Sequence, residues 1–279
     1  MVEIERISLG QMAVLQHLAT YRYLTTNHMQ RLKVSSSRRY IYRLLKDMLE
    51  RKKPLIGALD FGAIPTIGRL HNIYYLTAYG ANIVAEANKG AEVEYPKKVK
   101  VFGHDYWHRI NCVDYHINVN LWAEENGATV NYFDTYYDRG KIGAEGNIYP
   151  RTRIAWEAGK IVPDVIFSIS TPEEGDKERL FVLEMHNGPD ASRLVKQLKT
   201  YTSVLSRGTI EATYNYGSSP RLLLVFDTPA TLTRAQKLTI QHDVLRDRAP
   251  QVFYKVHNKN FVDFKIAWYS QENVEKALF

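Results

Sequence analysis

Two carboxylates sit in segments otherwise built for burial. Residues 162–188 read VPDVIFSISTPEEGDKERLFVLEMHNG. Asp164 follows a proline at the head of one apolar run. Glu184 lies inside the next, two residues before His186. Asp and Glu are almost never fully buried unless paired, protonated or bound to a metal. With a polar turn between the runs, antiparallel pairing brings both side chains within a few ångströms on one face. Two carboxylates that close ionise together only when a cation sits between them. Mg²⁺ typically takes one or two carboxylates and completes its shell with water and phosphate oxygens. An ion held in this way polarises a phosphodiester or activates a water. The pattern therefore points to Asp164 and Glu184 as ligands of Mg²⁺ or Mn²⁺. The competing reading is structural: strand-end hydrogen bonds to Asp164, and a salt bridge from Arg153 or Lys199 to Glu184.

Several elements must position this pair. Trp107, Ile110, Val113, Ile117 and Leu121 recur every three or four residues and predict a helix from Tyr106 to Asn126. Strands follow in TVNYFDTYYD, IVPDVIFSIS and RLFVLEMH, then a helix in DASRLVKQLKTYTSVLSRG. A strand in RLLLVFDT, a helix in TLTRAQKLTIQHDVLRD, and strands in QVFYKV and FKIAWYS complete the chain. This order predicts an α/β domain with a mixed central sheet over residues 104–279. Neither GxxxxGK[ST] nor GxGxxG occurs, so no nucleotide-binding loop is indicated. Glu124, Asp134 and Glu157 are reserve acidic ligands. His104 and His108 are spaced as metal ligands are, but no third ligand of the usual zinc type follows. The lone Cys112 excludes an intrachain disulfide and a cysteine-based zinc cluster. It reads as a small buried hydrophobe.

The charge is divided unevenly. The chain of 279 residues carries a net +7. Residues 1–100 hold 16 Lys+Arg against 8 Asp+Glu, a net of +8, and the remainder is close to neutral at −1. Such asymmetry favours a polyanion-binding module joined to a second domain. Within the basic part, LGQMAVLQHLATYRYLT, TTNHMQRLKV and SSSRRYIYRLLKDMLERKK read as three helices. Met12, Leu15, Leu18 and Ala19 form the apolar face of the first. Ser36 or Ser37 caps the third, and Ile41, Leu44, Leu45, Met48 and Leu49 form its apolar stripe. Its other face carries Arg38, Arg39, Arg43 and Lys46, with Tyr40 and Tyr42 among them. LIGALDFG and HNIYYLTAYGANIVAEA then supply two strands around a turn-rich loop, and a further helix. Three helices and a β-hairpin over residues 1–91 form the winged helix-turn-helix pattern. The third helix would enter the major groove, and Arg69 on the hairpin loop would reach the adjoining backbone. Asp47 and Glu50 lie late in the third helix, so its N-terminal half, the half that usually touches bases, is purely basic. A merely solvated charged face is the bland alternative. Residues 92–103 are polar and basic and read as a linker.

Asp164 after Pro163, twenty residues before a Glu in an apolar strand with a helix following, resembles the PD-(D/E)xK nuclease superfamily. That resemblance implies a restriction-endonuclease-like core over residues 104–279. The superfamily places Lys two residues after the Glu; here the position is His186, followed by Asn187. His can replace Lys as a base or metal ligand. Lys196 and Lys199 on the next helix could supply the charge instead. Taken together, the winged helix, His108 with Asp114 six residues on, PDVIF, VLEMHNG and LVKQLKTY are similar to the replication-relaxation family. MOBC-type plasmid relaxases have a related core. The resemblance implies a plasmid or mobile-element protein that nicks or relaxes DNA at an origin with a divalent metal. It implies Asp164, Glu184, His186, Asn187, His108 and Lys199 as site residues, with Tyr201 as a candidate nucleophile.

The expected partners are double-stranded DNA at such an origin and other relaxosome or replication proteins. Arg151, Arg153, Lys160, Arg193, Lys196 and Lys199 would line a local basic track. A non-catalytic origin-binding accessory protein or repressor, with a degenerate nuclease-like domain, is the reading from another class. The stretch MVEIERISLG is not a secretory signal, and no run of about 18 apolar residues occurs, so a cytoplasmic protein without membrane spans is expected.

Overall fold

The computed structural model describes residues 6–65, 67–97, 105–142, 148–157, 159–172, 175, 177–186, 188, 191–241, 246–247, 251–256 and 267–278. His104 and Asn187 lie outside them. The fold is mixed α/β, and the chain divides into two compact units, residues 1–117 and 118–279. That boundary falls inside a helix; residues 92–97, the described part of the expected linker, carry no regular structure.

In the first unit, α1 (Leu9–Tyr21), α2 (Thr26–Arg31) and α3 (Arg38–Glu50) begin at Ser8, Thr25 and Ser37. Each of these hydroxyls accepts a backbone N–H from the first helical turn. Ser8 with Gln11 and Thr25 with His28 complete reciprocal capping boxes. Strand β1 (Ile56–Leu59) is followed by the short hairpin β2 (Ala63–Ile64) and β3 (Gly68–Arg69), and then by β4 (Ile73–Leu76), which pairs antiparallel with β1. Thr77 caps α4 (Ala78–Ala87). Val14, Leu15, Leu18, Ile41, Leu45, Met48, Ile73 and Leu76 are fully buried between these elements. The face of α1 is rotated from expectation: Gln11, Val14 and Tyr21 are buried, while Met12 and Ala19 stand at the rim.

The long helix α5 (Tyr106–Asn126) begins in this unit and runs into the second. Cys112 is buried on it as a free thiol.

The second unit is built on a five-stranded sheet of order β13-β12-β11-β10-β5. The outermost of its antiparallel strands is β5 (Thr129–Thr135). The connection to the next sheet strand carries two small hairpins, β6 (Arg139–Ile142) with β7 (Ile148–Pro150) and β8 (Ile154–Trp156) with β9 (Gly159–Ile161). Then β10 (Val165–Thr171) pairs antiparallel with both β5 and β11 (Lys177–His186). Helices α6 (Ala191–Ser206) and α7 (Thr209–Tyr214) lead to β12 (Arg221–Phe226), which lies parallel to β11. Helix α8 (Pro229–Ile240) leads to β13 (Val252–Val256), parallel to β12. A right-handed helical crossover is the usual way to join parallel neighbours, and α6 and α8 occupy those connections. The even-numbered residues Leu180, Val182, Leu222, Leu224 and Phe226 form one face of the sheet. They pack with Leu194, Leu198, Val204, Leu232 and Ala235 of the helices. Burial on both faces explains the near-continuous apolar runs of β11 and β12.

FKIAWYS was expected as a strand. Residues 261–266 lie outside the described set, and Tyr269 makes only isolated bridges to Tyr254 and Glu275. Among the described residues no helix is long and apolar enough to cross a membrane.

Among the described glycines of the first unit, Gly80 has the least room for a side chain. A Cβ there would fall on the carbonyl oxygen of Leu55, a backbone atom that cannot swing aside. Gly80→Ala is expected to destabilise this unit by about 3 kcal/mol, the upper end for overpacking. An unchanged urea midpoint would refute this.

Candidate functional site

The register of β10 against β11 sets the geometry of the acidic pair. Val165 pairs with Leu183 and Ile166 with Val182, so one step further along the ladder Asp164 faces Glu184. Side chains directly opposite on antiparallel strands share a face, with Cβ atoms about 5 Å apart. Here the two carboxyl groups hydrogen-bond one another. Asp164 Oδ2 also accepts the backbone N–H of Met185 at 2.7 Å, and the Asp164 carbonyl accepts that of Tyr136 at 2.9 Å.

Glu184 is only 3% exposed. It survives burial because α6 brings two donors to it. The Tyr201 hydroxyl donates to Glu184 Oε1, and Gln197 donates to the same carboxyl. Gln197 and Tyr201 are four residues apart and stand over one another on α6. Burial, and then the neighbouring Asp164, push Glu184 well above the ordinary carboxyl range; the Tyr201 and Gln197 hydrogen bonds oppose that shift. Tyr201 is itself 1% exposed, and burial followed by the charge of Glu184 pushes its phenol upward. It is a protonated donor that holds Glu184, not a nucleophile presented to solvent. A helix face with Gln-x₃-Tyr opposite a strand glutamate was the available signal for this pair of donors, whereas the lysines of the same helix drew the expectation.

His186 shares the face of Glu184 by strand alternation. It is half-buried, and its ring stacks on Phe226 with centroids 5.2 Å apart. Asn187 lies outside the described residues. Lys199 is exposed and sits two residues from both Gln197 and Tyr201, hence on the far side of α6 from Glu184. Lys196 and Arg193 are also exposed. His108 is half-buried on α5 within the first unit. Asp114, its partner in the expected motif, anchors α2: Asp114 Oδ1 accepts from Arg31 and lies 3.2 Å from His28 Nε2. His28 Nδ1 already accepts the Thr25 N–H, which leaves Nε2 as the protonated nitrogen facing Asp114.

Of the reserve carboxylates, Glu124 is exposed, Glu157 is exposed with Arg207 at 3.5 Å, and Asp134 pairs with Arg151 at 3.3 Å. Among the described residues no three His, Cys, Asp or Glu side chains come together as a metal cage. The donor set is thus two hard carboxyl groups in mutual contact, one of which, Glu184, is held protonated to higher pH by burial and then by Asp164. A proton satisfies such a pair. Carboxylate oxygens are also the hard donors that Mg²⁺ or Mn²⁺ takes, with water completing its shell.

The first unit carries a separate basic face. Ile41, Leu44, Leu45 and Met48 of α3 are buried, which turns Arg38, Arg39, Arg43 and Lys46 outward. Arg38 is braced by Gln30 Oε1 at 3.2 Å and Asn27 Oδ1 at 3.0 Å, both on α2. The Arg43 guanidinium lies 5.0 Å from the Tyr40 ring centre. Lys46 faces Glu50 at 3.9 Å, and Arg69 on β3 pairs with Asp60 at 2.8 Å, both pairs exposed. Exposed pairs of this kind contribute little to stability and yield readily to a competing anion.

The sequence model of the family described as Replication-relaxation matches residues 15–221. No curated protein and no solved structure matches the chain.

The buried pair has a pH signature. In the folded chain Glu184 holds its proton to higher pH than in the unfolded chain, whose reference value is 4.5. Its contribution to stability is full below that value and is lost as pH rises through the folded value. In EDTA, wild type is therefore expected to lose stability relative to Glu184→Gln as pH rises from 4.5 to 8. Tyr201→Phe, which removes a donor to the charged form, should steepen the loss and cost about 1–3 kcal/mol at neutral pH. Urea midpoints across that range test both; parallel wild-type and Glu184→Gln curves would contradict the assignment.

Proposed function

The chain belongs to the replication-relaxation family, and on that premise we propose that it is a cytoplasmic DNA relaxase of a plasmid or mobile element, nicking DNA at an origin. The observation that carries this reading is the cross-strand contact of Asp164 with buried Glu184. In this reading residues 1–91 act as a winged-helix reader of double-stranded DNA, residues 92–103 as a linker, and residues 104–279 as a restriction-endonuclease-like domain. Arg38, Arg39, Arg43 and Lys46 of α3 face the major groove, and Arg69 reaches a neighbouring phosphate.

Asp164 and Glu184 would hold Mg²⁺ or Mn²⁺, which when bound polarises the scissile phosphodiester. The chain's own groups set the stage. The Met185 N–H fixes Asp164, and Tyr201 and Gln197 fix Glu184, so neither carboxylate has to reorganise. His186, on the same strand face, stands where the superfamily has Lys. Its imidazole accepts the proton of the attacking water. Other relaxosome or replication proteins are the expected further partners.

A second reading is supported by a specific observation. The Asp164–Glu184–Tyr201–Gln197 cluster is joined by hydrogen bonds among its own side chains, so it can serve as a structural latch in a non-catalytic origin-binding protein or repressor.

Incubation of the protein with a supercoiled plasmid carrying its own replicon separates the two. The relaxase reading expects open circles with Mg²⁺ or Mn²⁺, none in EDTA, and background levels for Asp164→Ala and Glu184→Ala. Intact DNA binding with no nicking by the wild type would establish the latch reading instead. In either case Arg39→Ala and Arg43→Ala should weaken duplex binding, and removing one arginine–phosphate pair should lower the logarithmic salt slope by about 0.9. Unaltered binding would remove α3 from the interface.

A further inference from the structure

The near-neutral second unit must still hold a polyanion if it is to cut one, and the lysines of α6 point away from the acidic pair. The connection between β5 and β10 supplies a different cation. Arg151 lies at the turn between the two small hairpins, with its side chain 33% exposed. Its backbone N–H donates to the Asp138 carbonyl at 2.9 Å. Its guanidinium donates to Asp134 Oδ1 and to the Arg139 carbonyl, each at 3.3 Å. The next residue, Thr152, is wholly buried, and its hydroxyl donates to the carbonyl of Pro163 at 2.6 Å. Pro163 immediately precedes Asp164. The turn that carries Arg151 is thus fastened to the strand entry that carries the acidic pair.

The sheet register fixes which face Arg151 serves. Asp134 pairs with Ile166, so it lies one strand over and two residues along from Asp164, on the face shared with Glu184. Such diagonal neighbours are about 7–8 Å apart. A second observation agrees. Asp134 and Arg151 both act electrostatically on Tyr214, a residue packed against the cluster of Ile166, Val182 and α6 on that same face. Beside Arg151, the Arg153 guanidinium lies 3.9 Å from the Tyr149 ring centre, and Lys160 is exposed on β9. The connection therefore carries, within a few residues of Arg151, further cations and an aromatic ring, a composition suited to a nucleic-acid strand.

We propose that the turn carrying Arg151, between β7 and β8, is the strand-binding element of the second unit, and that Arg151 binds a backbone phosphate next to the position served by Asp164 and Glu184. This rests on the relaxase reading for its substrate. The guanidinium is held by Asp134 through one terminal nitrogen and by the Arg139 carbonyl through the other, and its planar set of N–H donors has the bidentate geometry a phosphate accepts. A phosphate can compete for those donors because the Asp134 bond is long and the arginine is partly solvated. Arg151 is a phosphate-binding residue in this scheme and takes no part in proton transfer.

The test uses the full chain and a fluorescent single-stranded oligonucleotide titrated over a range of KCl concentrations. Arg151→Gln should lower the logarithmic salt slope by about 0.7, the value for one phosphate on a single strand. Asp134→Asn, which breaks the same ion pair but keeps the cation, should leave the slope at its wild-type value. Arg151→Lys should keep the slope and lose the bidentate geometry. An Arg151→Gln slope equal to wild type, with an unchanged melting temperature, would overturn the proposal. Equal losses in Arg151→Gln and Asp134→Asn would overturn it too, because the ion pair would then matter only to folding. Should Arg151→Gln not fold, wild-type protein treated with phenylglyoxal decides: the oligonucleotide must protect Arg151 from modification, and unprotected Arg151 refutes the proposal. A lowered slope in a protein that never nicks the supercoiled plasmid would retain the strand-binding element and reject the relaxase reading.

Discussion

Two like charges cannot share a dry site without help, and much of the second unit is arranged around that constraint. The β10–β11 ladder places Asp164 opposite Glu184 whether or not their electrostatics favour it, because register is set by the apolar residues between them. A slip of one residue would carry Ile166, Val182 and Leu180 to the opposite face of the sheet and away from the helices they pack against. The strain is met locally instead. A main-chain N–H serves Asp164, a phenol and an amide serve Glu184, and Glu184 keeps its proton to higher pH. Helix α6 must sit where it does for Tyr201 and Gln197 to reach, and its apolar face, Leu194, Leu198 and Val204, holds it there.

The first unit handles charge differently. The cations of α3 and of the β2–β3 hairpin are on the surface, and the ion pairs of Lys46 and Arg69 are exposed. Arg38 is the exception, braced by two side chains of α2 and so ordered before any partner arrives. Preorganisation of this kind lowers the entropy lost on binding. The same α2 is held from its other end by Asp114 of α5 through Arg31 and His28. The short helix between α1 and α3, only six residues long, is thus fixed by polar contacts on two sides rather than by its own propensity, which would not sustain it.

Long elements with clear periodicity were legible in the sequence. The helix over Tyr106–Asn126, the strand containing Glu184 and the Ser37 cap of α3 were all readable from spacing and side-chain chemistry. The two small hairpins of residues 139–161 were not. Their strands are three or four residues long, too short for alternation to register, and Gly and Pro interrupt them. The acidic pair was visible because carboxylates in apolar strands are anomalous. Its supporting donors were not, because Gln197 and Tyr201 are ordinary residues for a helix face, and only the crossover of α6 over β11 gives them a role. Asp114 was read with His108 as part of a family motif, and its geometry is that of an anchor between helices. Spacing along a helix says which residues share a face, but not what that face meets.

The single cysteine of the chain is wholly buried in α5. A thiol with no solvent access reacts slowly with maleimides and nitroxide reagents. The native protein therefore provides a silent chemical background. A cysteine introduced at an exposed position, on α3 or on the hairpin connection, would be the one site that takes a probe, with no native residue to remove first. Fluorescence or spin-label spectroscopy of this protein can thus begin from an otherwise unmodified chain.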